Sequence, residues 1–131
     1  MATEKRQFGD IGEEFAANFL KQKGYKILDR NWTQKCGEID IVAAKVSGLF
    51  KQKIDEIVFV EVKSIKNNDA FLAAQNVHYF KQRRLIKTAQ IYLSYKKYLN
   101  LPWRIDVLLI DFNPVTNTAK IEHLENAVWA K

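Results

Sequence analysis

The sequence predicts an α/β fold in which a central mixed β-sheet is flanked by helices. Three observations support this class. Apolar residues recur at helical spacing near the N-terminus, apolar runs with alternating polar residues follow, and a second helical segment precedes a further apolar run. A helix between two strands allows them to be parallel, whereas short connections make neighbouring strands antiparallel. The sheet is therefore expected to contain both kinds of pair.

The first helix is predicted from about Thr3 to Lys23. Its apolar residues lie three or four positions apart, and Gly24 is typical of a helix C-terminus. Glu13 lies at the border of the apolar stripe, whereas Glu14 lies toward solvent. Glu13 is therefore the helix acid that can reach a site beside the sheet. The alternative is a glutamate on the flank of the helix, paired with a basic neighbour.

Five strands and a second helix are predicted in the rest of the chain. The strands cover residues 25–31, 37–45, 54–64, 104–112 and 119–124. The second helix runs from about residue 77 to 99, before Pro102. Lys81 falls on the edge of the buried stripe of this helix, so its amine must either snorkel to solvent or find a negative partner. The polar segment 66–76 is expected to cross the open side of the site.

Length and composition are those of one domain, residues 1–131, with 47% hydrophobic residues. The net charge of +6 favours an anionic partner, although many proteins that bind no nucleic acid are equally basic. The single cysteine, Cys36, excludes an intramolecular disulfide, and two separated histidines argue against structural zinc. No signal peptide and no run of ~20 apolar residues is found, so a cytoplasmic protein without a membrane span is expected.

Charged and apolar residues alternate in the second and third predicted strands. Because side chains alternate between the faces of a strand, Glu38 and Asp40 are expected on one face, and Ile39 and Ile41 on the other. By the same rule Glu61 and Lys63 share a face in the next strand, Phe59-Val60-Glu61-Val62-Lys63. If these strands are neighbours, Asp40, Glu61 and Lys63 converge.

Two carboxylates beside a lysine suit metal-dependent cleavage of phosphodiesters. Mg²⁺ prefers oxygen ligands, keeps several waters and is usually held by one or two carboxylates. The metal polarises a phosphoryl oxygen and activates water, and the lysine places positive charge where the transition state is negative. The alternative is a surface cross-strand ion pair, worth a fraction of a kcal/mol. Spacing alone does not decide between the two.

The motifs resemble those of the restriction-endonuclease-like superfamily, written PD-(D/E)xK, and most closely its bacterial YraN-type branch. The resemblance rests on Gly9–Glu13, Ala16, Gly24-Tyr25, Arg30-Asn31, Gly37–Asp40, Phe59–Lys63, Lys81, Arg84-Leu85, Ala89, Arg104–Val107 and Asn126-Ala127. The branch is similar in turn to archaeal Holliday-junction resolvases. Those proteins, like this chain, lack the superfamily's proline before the aspartate. One departure weakens the expected substrate contact, because Ile65 stands where the branch usually has an arginine.

The resemblance implies a restriction-endonuclease-like fold and two groups of site residues. The catalytic group comprises Glu13, Asp40, Glu61 and Lys63; Mg²⁺ or Mn²⁺ would be held by Asp40, Glu61, the main-chain carbonyl of Val62 and Glu13, directly or through water. The group that would bind nucleic acid comprises Lys81, Gln82 and Arg104. For Arg104 a structural role is the favoured interpretation, with a phosphate contact as the alternative.

Three functions stay open at this point. The first is a metal-dependent nuclease acting on DNA, including branched or end-containing substrates. The second is a nucleic-acid-binding module with a nuclease-like fold and no catalytic activity. The third is an interaction protein whose strand charges form ion pairs. The sequence leaves the oligomeric state open, a homodimer included.

Overall fold

A computed structural model describes residues 4–65 and 79–128, and within these ranges five strands form one sheet against which two helices pack. The elements are α1 (Glu4–Gln22), β1 (Lys26–Gln34), β2 (Gly37–Ser47), a single 3₁₀ turn (Leu49–Lys51), β3 (Lys53–Ile65), α2 (Tyr79–Tyr95), β4 (Trp103–Asn113) and β5 (Thr118–Val128). The predicted irregular segment 66–76 and the predicted start of the second helix at residue 77 lie outside the described residues.

The sheet has the order β1-β2-β3-β4-β5 and is mixed, as predicted. Three neighbouring pairs are antiparallel, whereas β3 and β4 are parallel. Helix α2 lies between these two strands in the chain and belongs to the crossover that a parallel pair requires. Neither helix in the described ranges is long and apolar enough to cross a membrane.

Three predicted element ends differ from the structure by three or more residues. Helix α2 ends at Tyr95 rather than at residue 99, because Lys97 takes a left-handed φ of 61° and the Tyr98 N–H donates back to the Leu93 carbonyl at 2.8 Å. Strands β1 and β5 are longer than predicted, since pairing continues as far as Gln34 with Gly37 and Val128 with Ile105. Polar residues lie in both extensions and leave no apolar signal in the sequence.

Each face of the sheet carries an apolar core. The core between the sheet and α2 contains Ile39, Val42, Phe59, Leu85, Tyr92 and Ile105, with smaller neighbours. The core between the sheet and α1 contains Ala16, Leu20, Ile41, Val58, Val60 and Leu108. Because both faces are covered, the central stretches 41–44 of β2 and 57–60 of β3 are apolar and buried throughout. The charged residues of the two strands lie outside these stretches.

Strand alternation breaks at Asp40, contrary to the sequence prediction. Ile39 packs in the core under α2, whereas Ile41 packs in the core under α1, so the two do not share a face. The pairing of β2 with β3 ends at Ile41 opposite Val60, and the residues before Ile41 pair with β1 alone. Across from Asp40 in β1, Asn31 has a left-handed φ of 51°. The two central strands therefore diverge at Asp40.

Helix α1 comes unusually close to the far end of β3. A Cβ atom added to Gly12 would lie only 2.7 Å from the Ser64 hydroxyl oxygen. A larger residue at position 12 would therefore require the Ser64 side chain or the helix to shift. The next residue, Glu13, is brought to the point where β2 and β3 diverge.

Candidate metal centre

Four carboxylates line one cavity of about 370 Å³ at the diverging ends of β2 and β3. They are Glu13, Glu38, Asp40 and Glu61. We call this the acidic cavity. Glu13 comes from α1, Glu38 and Asp40 from β2, and Glu61 from β3, while α2 supplies basic residues to the same wall. The structure thus brings together three residues of the predicted catalytic group, Glu13, Asp40 and Glu61.

Asp40 lies in the gap between the diverging strands. Its Oδ2 accepts the main-chain N–H of Val62 at 2.8 Å. That N–H lies beyond the last β2–β3 pair, Ile41 with Val60, so the carboxylate takes the place of a strand partner. Val62 also lines the cavity, which puts the main chain of the predicted ligand residue at the site.

The acidic cavity disfavours ionisation of Asp40. Burial raises the pKa of Asp40 to about 8, and the charge of Glu61 acts in the same direction. The Val62 N–H lowers this pKa, whereas the charges of Glu13 and Glu38 raise it further. A carboxylate cluster with such mutual repulsion is stabilised by an added cation.

Lys81 supplies one cation from α2. Its Nζ lies 2.6 Å from Oε1 of Glu61, whose side chain is 9% exposed, against 40% for Lys81. Of the two alternatives that the sequence left for Lys81, snorkelling to solvent or a negative partner, the structure shows a partner, the Glu61 carboxylate. In this conformation Lys81 neutralises the acid that was predicted to hold metal.

Two other predicted residues do not line the acidic cavity. Lys63, two residues beyond Glu61 on β3, is half-buried and absent from the cavity wall. Gln82 follows Lys81 on α2, is also half-buried, and is likewise absent from that wall. Both roles stay predictions, and for Lys63 a catalytic role requires its amine to turn toward the carboxylates.

Arg104 belongs to a separate group of polar residues on the α1 face of the sheet. Its Nε and Nη2 donate to the two oxygens of Asp106 at 2.9 and 3.1 Å, and its Nη1 donates to Glu56 at 2.7 Å. Nη2 also donates to the Tyr25 hydroxyl at 2.8 Å. The guanidinium is thus bound within the protein, in agreement with the favoured structural interpretation of Arg104, and its contact with phosphate stays a prediction.

Asp106 is the centre of this group, which we call the Asp106 network. Besides Arg104, Asp106 accepts the Asn126 N–H at 2.8 Å and is bonded to Nε2 of His123 at 2.7 Å. Lys23 can only donate, and its Nζ lies 2.9 Å from Nδ1 of His123, so we assign the ring proton to Nε2. Burial alone would raise the pKa of Asp106, but the hydrogen bonds from His123, Arg104 and Asn126 outweigh burial and lower it.

Sequence reasoning missed several members of both groups. Arg84, an exposed residue of α2, lines the acidic cavity together with Leu85 and Thr88. The missed signal is spacing, because residues three, four and seven positions after Lys81 lie on the same side of a helix. For Tyr25 and His123 no local signal exists, since only strand pairing brings them to Asp106.

The acidic cavity fits a hard divalent cation by its chemistry. All its acidic side chains offer oxygen ligands, and Mg²⁺ is commonly held by one or two carboxylates with several waters. Within residues 4–65 and 79–128, no three acidic, histidine or cysteine side chains form a ready metal-binding group. Asp40 and Glu61 with the main chain of Val62 are therefore the donors to consider, and Glu61 must share its carboxylate with Lys81 or leave it.

A five-stranded mixed sheet between two helices, with an acidic cavity where its central strands diverge, is a restriction-endonuclease-like α/β fold. Residues 12–110 match the model of the Uncharacterised protein family UPF0102. The chain belongs to this family, the YraN-type branch predicted from its motifs.

Its relatives match over nearly their whole length. A UPF0102 protein of Caldanaerobacter subterraneus subsp. tengcongensis is 37% identical over 124 residues, which cover 94% of this chain and 95% of the relative. Those of Clostridium tetani and Roseiflexus castenholzii are 38% and 36% identical, and each alignment covers at least 97% of both chains. The names of these relatives carry no activity.

Proposed function

We propose that this protein is a metal-dependent nuclease that hydrolyses phosphodiester bonds in DNA. The observation that carries the proposal is the pair of carboxylates Asp40 and Glu61, which line one cavity, where burial and the charge of Glu61 raise the pKa of Asp40. A perturbed carboxylate in a cavity is typical of functional sites. The superfamily resemblance supplies the reaction class, and by the same analogy DNA is preferred to RNA.

Asp40, Glu61 and the Val62 carbonyl would hold Mg²⁺ or Mn²⁺, with Glu13 acting directly or through water. A metal held there would polarise the phosphoryl oxygen and lower the pKa of a bound water. The protein's own residues do the positioning. The Val62 N–H fixes one oxygen of Asp40, and the close packing at Gly12 fixes the reach of Glu13. Lys63 would add positive charge beside the reacting phosphate.

Lys81 would act on substrate by exchanging partners. In the structure its amine neutralises Glu61. If Glu61 held a divalent cation, the Lys81 amine would lose its partner beside the same cavity and would be available to a DNA phosphate. Lys81 is 40% exposed, so this movement requires no unfolding of α2.

Cleavage and binding assays test the proposal together. Labelled linear, flapped and four-way DNA would be incubated with Mg²⁺ or Mn²⁺ to measure cleavage, and with Ca²⁺ to measure affinity. We expect Lys63→Ala to abolish cleavage and leave affinity nearly unchanged, because the lysine acts mainly in the transition state. The control is Lys120→Ala, an exposed lysine on β5 that should change neither. The nuclease proposal fails if wild type binds these substrates but cuts none with any metal.

A nucleic-acid-binding module without activity is the second candidate. Two observations favour it: Lys81 occupies Glu61, and Lys63 does not line the cavity. For this candidate, wild type and Asp40→Asn would bind DNA equally and show no cleavage. The same assays therefore decide between the two functions.

A further inference from the structure

A second concavity lies at the opposite end of β3 from the acidic cavity. It has a volume of about 270 Å³ and is formed by the end of α1, the start of β1 and the turn between β2 and β3. Three lysines, Lys21, Lys26 and Lys51, and two aromatic residues, Tyr25 and Phe50, line it. We call it the cationic pocket. Lys53 beside it and Glu61 are eight residues apart on β3, about 26 Å at ~3.3 Å per residue.

The charge of the cationic pocket is uncompensated. No acidic residue is among its lining residues, and none of its three lysines forms an ion pair with another described residue. All three are exposed. By contrast, Lys81 in the acidic cavity and Lys23, which follows α1, both have partners. Within the described part of the chain, the pocket therefore presents to an anion three ammonium groups that have no acidic partner.

Phe50 gives the pocket an aromatic wall that folding does not explain. Its side chain is 83% exposed, and its backbone has a left-handed φ of 62°, followed by Lys51 at 54°. Bulky residues avoid this conformation, which costs of order 1–2 kcal/mol per residue. The ring stays exposed, so its burial does not offset this backbone strain. Backbone strain without such an offset is typical of ligand-binding segments.

We propose that the cationic pocket binds a single-stranded segment of nucleic acid. The lysines would contact successive phosphates, and the Phe50 ring would stack on an unpaired base. Proteins that bind single strands combine basic grooves with exposed aromatic rings in this way. A duplex keeps its bases stacked internally and offers none to the ring. This binding needs neither metal nor cleavage, so it can hold whether or not the acidic cavity is a nuclease site.

An anionic membrane surface is the competing partner, since Leu49 next to Phe50 is also 81% exposed. Only Phe50 lines the pocket, however, whereas Leu49 does not. Membrane insertion would use both apolar side chains, whereas base stacking needs only the ring. The two residues form a matched pair for an experiment.

The test is the anisotropy of labelled oligonucleotides, single-stranded and duplex, measured in EDTA over a range of salt concentrations. Phe50→Ala should weaken single-strand binding roughly 5- to 150-fold, the range for loss of one stacked base. Phe50→Leu should weaken it comparably, because it keeps apolar bulk and loses the ring. Replacing Lys21, Lys26 and Lys51 together by Gln should reduce the salt slope by about 2, at ~0.7 per phosphate.

Leu49→Ala and Lys120→Gln serve as controls and should bind like wild type, with circular dichroism confirming that every variant is folded. Unchanged single-strand affinity in both Phe50→Ala and the triple lysine variant would overturn the proposal. So would binding to phosphatidylserine vesicles that Leu49→Ala and Phe50→Ala weaken alike and Phe50→Leu preserves. If DNA cleavage is absent but these oligonucleotide results hold, the nuclease proposal alone fails.

Discussion

Asp40 and Asp106 are carboxylates of one sheet in opposite surroundings. Asp106 is fully buried, and both its oxygens are hydrogen-bonded, to Arg104, His123 and the Asn126 main chain. Asp40 is half-buried, accepts the Val62 N–H, and faces three other acids. Burial favours the neutral form of each, yet the pKa of Asp106 is lowered and that of Asp40 is raised. For Asp40 burial raises the pKa and the like charges add to it, whereas for Asp106 the hydrogen-bond donors outweigh burial.

This contrast separates a structural carboxylate from one kept for function. The Asp106 network supplies donors to the acid from β4 and β5, so it stabilises the pairing of those strands. The acidic cavity concentrates acids where β2 and β3 diverge, which costs folding free energy. A group of acids that destabilises the fold in this way is typical of a functional site. The two regions should therefore respond in opposite directions to loss of their central carboxylate.

Loss of the structural acid should have the largest effect. Asp106→Ala should lower the free energy of unfolding by about 3–5 kcal/mol, because the largely buried Arg104 guanidinium then lacks its carboxylate partner. Urea denaturation followed by circular dichroism measures this change. The matched control is Asp111→Ala, a half-buried acid of the same strand, which should cost far less. A loss below about 1 kcal/mol in Asp106→Ala would remove the contrast.

Loss of the cavity acid should stabilise the metal-free protein. The pKa of Asp40 rises from 3.8 to about 8 on folding, so wild type loses stability as pH rises from about 4 to 8. Asp40→Asn removes this loss. In EDTA its melting temperature should equal that of wild type near pH 4 and exceed it at pH 8. The free energy of unfolding at pH 8 should differ by more than about 1 kcal/mol, since one unit of pKa difference is worth about 1.4 kcal/mol.

A bound metal ion should reverse the order of stability of wild type and Asp40→Asn. Millimolar Mn²⁺ binds the folded state and should raise the melting temperature of wild type more than that of Asp40→Asn. Equal shifts would place the ion elsewhere in the protein. A melting temperature for Asp40→Asn below that of wild type across the whole pH range in EDTA would mean that Asp40 is stabilising, like Asp106.

Replacing the cation of the acidic cavity should have the smallest effect on stability. Lys81→Met should cost at most about 1 kcal/mol, because the ammonium is partly exposed. It should also tighten Mn²⁺ binding several-fold by removing the competitor for Glu61, as isothermal titration calorimetry would measure. Arg84→Met is the control, since Arg84 lines the same cavity without an ion pair to Glu61 among the described residues. Equal Mn²⁺ affinities in the two variants would show that Lys81 and the metal do not compete.

The sequence was sufficient for the elements that local pattern determines. Apolar alternation located the five strands, and helical spacing put Glu13 on the inner edge of α1. It also identified Lys81 as a lysine that must reach either solvent or a negative partner. Each of these predictions depends on residues within one element, where the period of side chains is fixed by backbone geometry.

Predictions were wrong, or could not be made, where the position of a residue depends on how two elements pair. The alternation rule placed Ile39 and Ile41 on one face, because nothing in β2 reveals that its pairing with β3 ends at Ile41. The partners of Asp106 likewise depend on the register of β5, where residues 125–127 lie opposite Asp106. Lys63 obeys the motif spacing but does not reach the cavity wall, since spacing fixes no rotamer.

The hydrogen bond between the Val62 N–H and Asp40 makes one backbone amide a spectroscopic probe of the acidic cavity. A bond to an ionised acceptor is shorter and stronger than a bond to a neutral one. The amide proton resonance of Val62 should therefore move as Asp40 titrates near pH 8, and move again when a cation binds the carboxylate. The charge of this cavity can be followed in the intact protein by nuclear magnetic resonance before any substrate has been found.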